Sequence, residues 1–328
     1  MNVHTLLQAV HQHYHFHTYH SVATSYGLEI QTNCGPKQVM LWKEKSVLMW
    51  SFLWSEELVQ MGSRYANRMI RTRDGAPYVQ VNEHWITVTD LLEGTKWRPQ
   101  EDSGPFGQWV GQLYRCFFRV TDTVNQQHWH KALDQQLEHP TELYNEEDLK
   151  KKIITMSPSD AFTSLVKPHW PQIEKRWRSA LTLLQQSQVP SLYSVKSLTC
   201  DQFIKDGYER IHWQPGAWRM TKGFEGVAHL LCELIQADTE GIDRAKTFYL
   251  SFEQSYSPKM GEQTQILGHV IYPQSFLDIA KKYVYADIDV DQACQRWLER
   301  CDHQENIDLF QQWLAKRIDS LRGDAMSV

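Results

Sequence analysis

The amino-acid sequence predicts an α+β fold in two lobes: a small antiparallel sheet with one helix, then a large, mainly helical part. Three observations predict it. Residues 25–94 carry runs that alternate apolar and polar side chains between turn signals, the mark of half-buried strands. From residue 109 onward the apolar residues fall mainly at helical spacing. Between these regions "EGTKWRPQEDSGPFGQ" (93–108) is polar and punctuated by Gly and Pro, the composition of a hinge.

The elements follow in chain order. Val3, Leu6, Leu7 and Val10 lie at helical spacing, so residues 1–16 predict a short helix. "YGLEIQTNCG" and "PKQVMLWKE" predict two strands around a turn at Asn33–Gly35. "SVLMWSFLWSEELVQMGSRY" (46–65) predicts a helix with Leu48, Phe52 and Val59 on or near one face. "ANRMIRTRDGAPYVQVNEHWITVTDLLEG" predicts strand, Asp-Gly turn, strand, short turn and strand, with Val79, Val81, Ile86 and Val88 alternating. The N-terminal part therefore reads β-β-α-β-β-β. Helices are predicted over 109–124, 145–156, 170–187, 224–236, 241–256 and 261–284, and across 289–322. A loop and a strand hairpin, residues 194–213, interrupt them. The expected organisation is an N-terminal lobe (1–94), a hinge (95–108) and a helical C-terminal lobe (109–328).

Composition narrows the function. The chain has 328 residues, 41% of them hydrophobic, and a net charge of −5. It can bury a sizeable core, and it offers no basic excess for nucleic acid. Six cysteines (Cys34, Cys116, Cys200, Cys232, Cys294 and Cys301) form no CxxC pair, which suggests reduced thiols in a cytoplasmic setting. No basic segment followed by an apolar run marks a secretion signal, and no stretch approaches ~18 apolar residues, so neither secretion nor a membrane span is expected. "HQHYHFHTYH" (11–20) is His-rich. His11 with His15, or His13 with His17, share a helix face suited to a metal, but no Cys or carboxylate nearby completes a set. An exposed segment without a fixed site is the expectation.

A small sheet, a polar hinge and a helical part interrupted by one hairpin is the layout of the protein-kinase-like fold. Within it, "MIRTRDGAPYVQVNEHWITVTDLLEG" (69–94) resembles the spore-coat kinase-like proteins of endospore-forming bacteria, the CotS/YutH group of the aminoglycoside-phosphotransferase and choline-kinase-like superfamily. That group shows a T-x-D-G-x-x-Y hairpin, filled here by Thr72, Asp74, Gly75 and Tyr78. Its T-D-W-I-x-G hinge is matched by Thr89, Asp90, Glu93 and Gly94, with Leu91 for Trp. "QTNCGPKQVML" (31–41) and "ILGHVIYPQSFLDIAKKYV" (266–284) are similar to two further stretches of the group, and the likeness spans roughly 25–285.

The resemblance implies where catalytic groups would stand. Phosphoryl transfer in this fold needs a Lys on the nucleotide phosphates, an Asp beside the attacking hydroxyl, and an Asn and second Asp on magnesium. The group's loop is H-x-D-x-x-x-x-N, followed by a hairpin ending in I-D. Set against it, Val195 takes the His position, Ser197 the catalytic Asp, Gln202 the Asn and His212 the metal Asp, while Met40 takes the Lys. One or two residues of slippage would offer Asp201 for the Asp, and Lys37 or Lys43 for the Lys. Gly226 in "GFEGVAHLL" replaces a further Asp that braces the loop. Each lost group costs several kcal/mol of transition-state stabilisation. Asp90 and Glu93 are the hinge candidates for holding a cofactor.

The leading expectation is a pseudokinase that acts in spore-coat assembly by binding other coat proteins. It would be found in the mother-cell cytoplasm and the coat, without cofactor or catalytic metal. The alternative is an active kinase of a small-molecule hydroxyl, using ATP and Mg²⁺. A third reading is a nucleotide-binding switch without turnover. For the His run, replacing His11 and His15 together is expected to change nickel or zinc affinity only slightly in isothermal titration. A sharp loss would expose a metal site there.

Overall fold

The computed structural model describes residues 2–61, 68–126, 130–135, 137, 146–156, 160–187, 192–213 and 219–325. The chain is α+β, with an antiparallel sheet near the N-terminus and a large helical C-terminal part. It divides into two compact units: 1–98, 109–137 and 192–220 form the first, and 99–108, 138–191 and 221–328 the second.

In the first unit, α1 (Val3–His13) starts at Asn2, whose side chain accepts from Thr5 N. It is followed by β1 (Thr18–Thr24), β2 (Gly27–Thr32) and β3 (Gly35–Trp42), then α2 (Lys45–Gln60). Next come β4 (Val79–Val81), β5 (His84–Asp90) and β6 (Thr95–Lys96). The main sheet runs β1-β2-β3-β5-β4, antiparallel throughout. α3 (Ser103–Gln126), α4 (His130–Asp134), β7 (Tyr193–Val195), β8 (Phe203–Lys205), β9 (Ile211–Trp213) and β10 (Met220–Lys222) complete the elements up to the second unit's later helices. β6, β8 and β9 form a second, three-stranded sheet.

Two expectations for this region are corrected. Residues 18–24 form a strand, although the His-rich composition around them gave no such reading. Conversely, the first of the three strands expected in 69–94 does not form. Ile70 N donates to Val88 O at 2.7 Å, but the chain turns at once: Gly75 N donates to Thr72 O, and Ala76 N to Thr72 Oγ1. A turn closed after one ladder bond leaves no length for a strand. The helix expected over 1–16 stops at His13. There Arg73 donates to Tyr14 O and His11 O, and its own N–H to His13 O, satisfying carbonyls that a helix end leaves open. The expected helix 46–65 ends at Gln60; its residues 62–65 lie outside the described ones.

The sheet is apolar on both faces. Leu28, Ile30, Val39, Ile86 and Val88 pack with Leu6, Val10, Tyr14 and Phe16 from α1 and the segment after it. On the other face Met40 and Trp42 pack with Leu48 of α2 and Met69.

The second unit holds α5 (Glu146–Thr155), α6 (Ala161–Val166), α7 (Trp170–Gln186), α8 (Glu225–Ile235), α9 (Gly241–Tyr256), α10 (Met260–Ile271), α11 (Gln274–Val284), α12 (Val290–Asp302) and α13 (Gln304–Ala325). The single helix expected over 261–284 is two. Pro273 lacks an N–H and pushes Tyr272 out of the helical region, to ψ 124°. Trp297, fully buried, centres one core, with Phe276 and Phe162 at centroid distances of 4.8 and 5.7 Å. Asp289 caps α12 by accepting from Gln292 N. Among the described residues no helix is long and apolar enough to cross a membrane. All six cysteines are free thiols.

Past the end of α11, Ala286 sits at φ 59°, with its N–H on Tyr283 O and Asp287 N–H on Lys282 O. This left-handed closure suits glycine, and a side chain there costs roughly 1–2 kcal/mol. Ala286→Gly is therefore expected to stabilise the protein by about 1 kcal/mol, raising Tm by roughly 2 °C in a calorimetric melt.

Candidate functional site

The positions that would carry phosphoryl transfer all lie in the first unit, on β3, on the loop after β7 and on the β8–β9 hairpin. β3 decides the first of them. Strand residues alternate between faces. Val39 faces α1, so Met40 faces α2, opposite Thr87 of β5 and Gly27 of β2. Its thioether is buried among apolar side chains, and Trp42 beside it spends its indole N–H on Thr87 Oγ1 at 2.8 Å. Met40 itself offers no charge to an anion.

The neighbouring lysines point away from this face or into solvent. Lys37 shares the α1 face with Val39. Its buried ammonium donates to Cys34 O and lies 2.8 Å from Asp90, its direct partner across the ladder. Lys43 is exposed beyond the end of β3. In protein kinases the phosphate-holding Lys pairs with a Glu on the following helix. Here the acids of α2 go elsewhere: Glu56 to Arg68 and Arg71, Glu57 to Arg119 at 2.6 Å. The buried side of α2 carries Trp50 and Trp54 beside Leu48, Ser51, Ser55 and Leu58. Trp50 stacks on Phe117 of α3 at 5.3 Å, and Trp54 lies 5.1 Å from Trp213 at the end of β9.

The loop and hairpin tell the same story residue by residue. Val195 is fully buried in β7, as befits a core strand residue. Ser197 is exposed; its carbonyl accepts a long bond, 3.5 Å, from Gln202 Nε2. Gln202 Oε1, an oxygen that suits magnesium, accepts from the Trp213 indole at 3.3 Å. Asp201 accepts from Thr199 Oγ1 at 2.5 Å and lies 3.9 Å from Lys96, both on the surface.

His212 is buried, with Nε2 3.0 Å from Asp206 Oδ2. An ionised carboxylate only accepts, so Nε2 carries the proton. Asp206 is the charged centre of the hairpin. It accepts from Arg210 Nε at 2.8 Å, and its Oδ2 lies 2.7 Å from Arg210 Nη2. It also accepts from the backbone N–H groups of Tyr208 and Arg210. The Arg210 hydrogen bond, then those from His212 and the backbone, hold its carboxyl well below the usual range against the opposing cost of burial. The sequence signal for this satisfied carboxylate is Arg210, four residues after Asp206.

Of the hinge candidates, Asp90 is engaged by Lys37, and Glu93 is exposed. Gly94 has a structural duty: a Cβ there would lie 2.2 Å from Lys205 O, where the hinge strand meets β8. Gly226 is buried in α8, within the second unit. Among the described residues no three His, Cys, Asp or Glu side chains group to hold a metal ion.

No protein-family model and no curated protein matches the chain by sequence. Its likeness is structural. An aminoglycoside phosphotransferase from Alicyclobacillus acidocaldarius superposes with TM-score 0.72, over 95% of this chain and 96% of that one, at 13% identity. A spectinomycin phosphotransferase in complex with ADP and spectinomycin gives 0.59, over 96% and 98%, at 11%. An ethanolamine kinase from Plasmodium vivax gives 0.50, over 89% and 84%, at 11%. The chain has the protein-kinase-like fold of these small-molecule phosphotransferases.

Because the Asp206 pKa is depressed, its stabilisation is present above the ordinary carboxylate range and fades as pH falls through and below it. Asp206→Asn is expected to lower Tm at pH 7, and the gap to the parent should close as pH drops below about 4. Paired melts across pH check this.

Proposed function

We propose that this chain keeps the phosphotransferase fold, has given up phosphoryl transfer, and acts by binding. One observation carries the reading: the side chain at the lysine position, Met40, is buried in an apolar cluster, and the only lysine within that strand is tied to Asp90 on the opposite face. The hairpin supports it independently. Gln202 Oε1 and His212 Nε2 are each engaged within the hairpin, so neither is presented to a cation. Removing one preorganised group of a transfer site costs about 3–4 kcal/mol. Three such positions without the needed charge, Met40, Ser197 and His212, leave transfer without a driving arrangement.

What the chain binds follows from its resemblance to the spore-coat kinase-like group through residues 69–94. We infer a role in endospore coat assembly, with other coat proteins as partners and no nucleotide or magnesium. In an endospore-forming host, the tagged chain should then collect at the coat, and spores lacking it should lose coat proteins. Spores with an unaltered coat would sink that role.

The biochemical test is direct. The purified chain should release no phosphate from ATP above buffer, with or without candidate amino-alcohol and aminoglycoside acceptors. Calorimetry should find no magnesium-dependent saturable binding up to ~1 mM ATP, a free energy near −4 kcal/mol. Turnover would restore the small-molecule kinase reading; binding without turnover would point to a nucleotide switch.

A further inference from the structure

Among the described residues the main sheet ends, at β1, on an edge without a further strand. In the order β1-β2-β3-β5-β4, β1 has one neighbour, and among the described residues its backbone bonds go to β2. Every second N–H and C=O of an edge strand faces outward, ready to template another strand. Proteins blunt such edges with short strands, Lys, Pro or bulges. The opposite edge, β4, follows that practice, being three residues long. β1 has seven residues and contains no Lys, Arg, Asp, Glu or Pro. Its register shifts once, between Thr18 and His20, and then runs regularly from His20 to Thr24. Val22, in the middle of that run, is 51% exposed, and His20 and Ala23 are exposed with it.

We propose that β1 is a self-association edge, joining two copies of this chain antiparallel about a two-fold axis into one continuous sheet. A two-fold centred on Val22 sets Val22 against its own copy, Ser21 against Ala23 and His20 against Thr24. No acid, Lys or Arg stands opposite its like, and the most exposed apolar residue of the run is covered by itself. Isologous pairing of this kind is self-complementary and closed. A foreign strand would be selected by charges opposite its own, and β1 carries no acid, Lys or Arg for it to read. The proposal is independent of whether the chain transfers phosphate.

The test is the mass of the full chain by size-exclusion chromatography with light scattering, from ~1 to ~100 μM. The parent is expected to move from monomer to dimer over that range. Val22→Lys places two ammonium groups opposite each other and is expected to weaken the dimer at least tenfold. The monomer should tolerate it, because Glu29 stands opposite Val22 on β2; circular dichroism verifies the fold. Val22→Ile should leave the dimer intact. In a Cys34→Ser background, Val22→Cys should give disulfide-linked dimers under mild oxidation, since directly opposed Cβ atoms approach to about 4.5 Å, within the span of a disulfide. A parent that stays monomeric at ~100 μM overturns the proposal. So does a dimer indifferent to Val22→Lys, or one in which the Val22→Cys thiols do not link.

Discussion

Two adjacent residues of β3, Val39 and Met40, are buried on opposite faces of one sheet, and most of the first unit is arranged around that constraint. A strand offers each face every second residue. When both faces must be apolar, consecutive positions lose the freedom to carry charge. α1 covers one face and α2 borders the other, so a lysine at residue 40 would bury an ammonium among Trp42, Leu48 and Met69. An unpaired buried charge costs far more than an exposed pair returns, which is about 0–1 kcal/mol. Lys37 shows the tolerated alternative. Its buried ammonium is matched by a backbone carbonyl and by Asp90, whose side chain reaches solvent.

The hairpin obeys a related rule at smaller scale. A carboxylate in a tight turn must find donors, and Asp206 finds them all within six residues: two backbone N–H groups, the Arg210 guanidinium and His212. This local satisfaction pins the β8–β9 geometry and faces the His212 ring N–H toward the turn. Beyond it, Trp213 joins Trp54 and Phe117 in an aromatic contact linking α2, α3 and β9. Offset and edge-on aromatic pairs add ~1 kcal/mol each beyond their buried area, so packing holds the hairpin against α2 and α3.

In the second unit the same economy appears in its apolar form. Trp297 gathers Phe276 and Phe162 from other helices, and the Pro273 break allows α10 and α11 to take separate directions. The break was present in the sequence as an aromatic-Pro pair inside a helical pattern. The apolar spacing on either side stays in phase, so periodicity alone predicts one helix there.

Local pattern made much of this protein legible before any coordinates. Periodicity separated the strand-rich start from the helical remainder, and the hairpin at 194–213 stood out by its turn chemistry. The missing strand at 69–72 and the extra one at 18–24 were not legible, because both depend on which backbone groups find a partner across the sheet. For the site, sequence alone determined the residue types: Met, Val, Ser, Gln and His at positions 40, 195, 197, 202 and 212. It left open whether Lys37 or Asp201 could move in. The tertiary structure set where they point: strand alternation sends Lys37 to the opposite face, and Thr199 and Lys96 engage Asp201 at the surface. Side-chain identity is written along the chain, but the direction in which a charge points is set by neighbours distant in sequence.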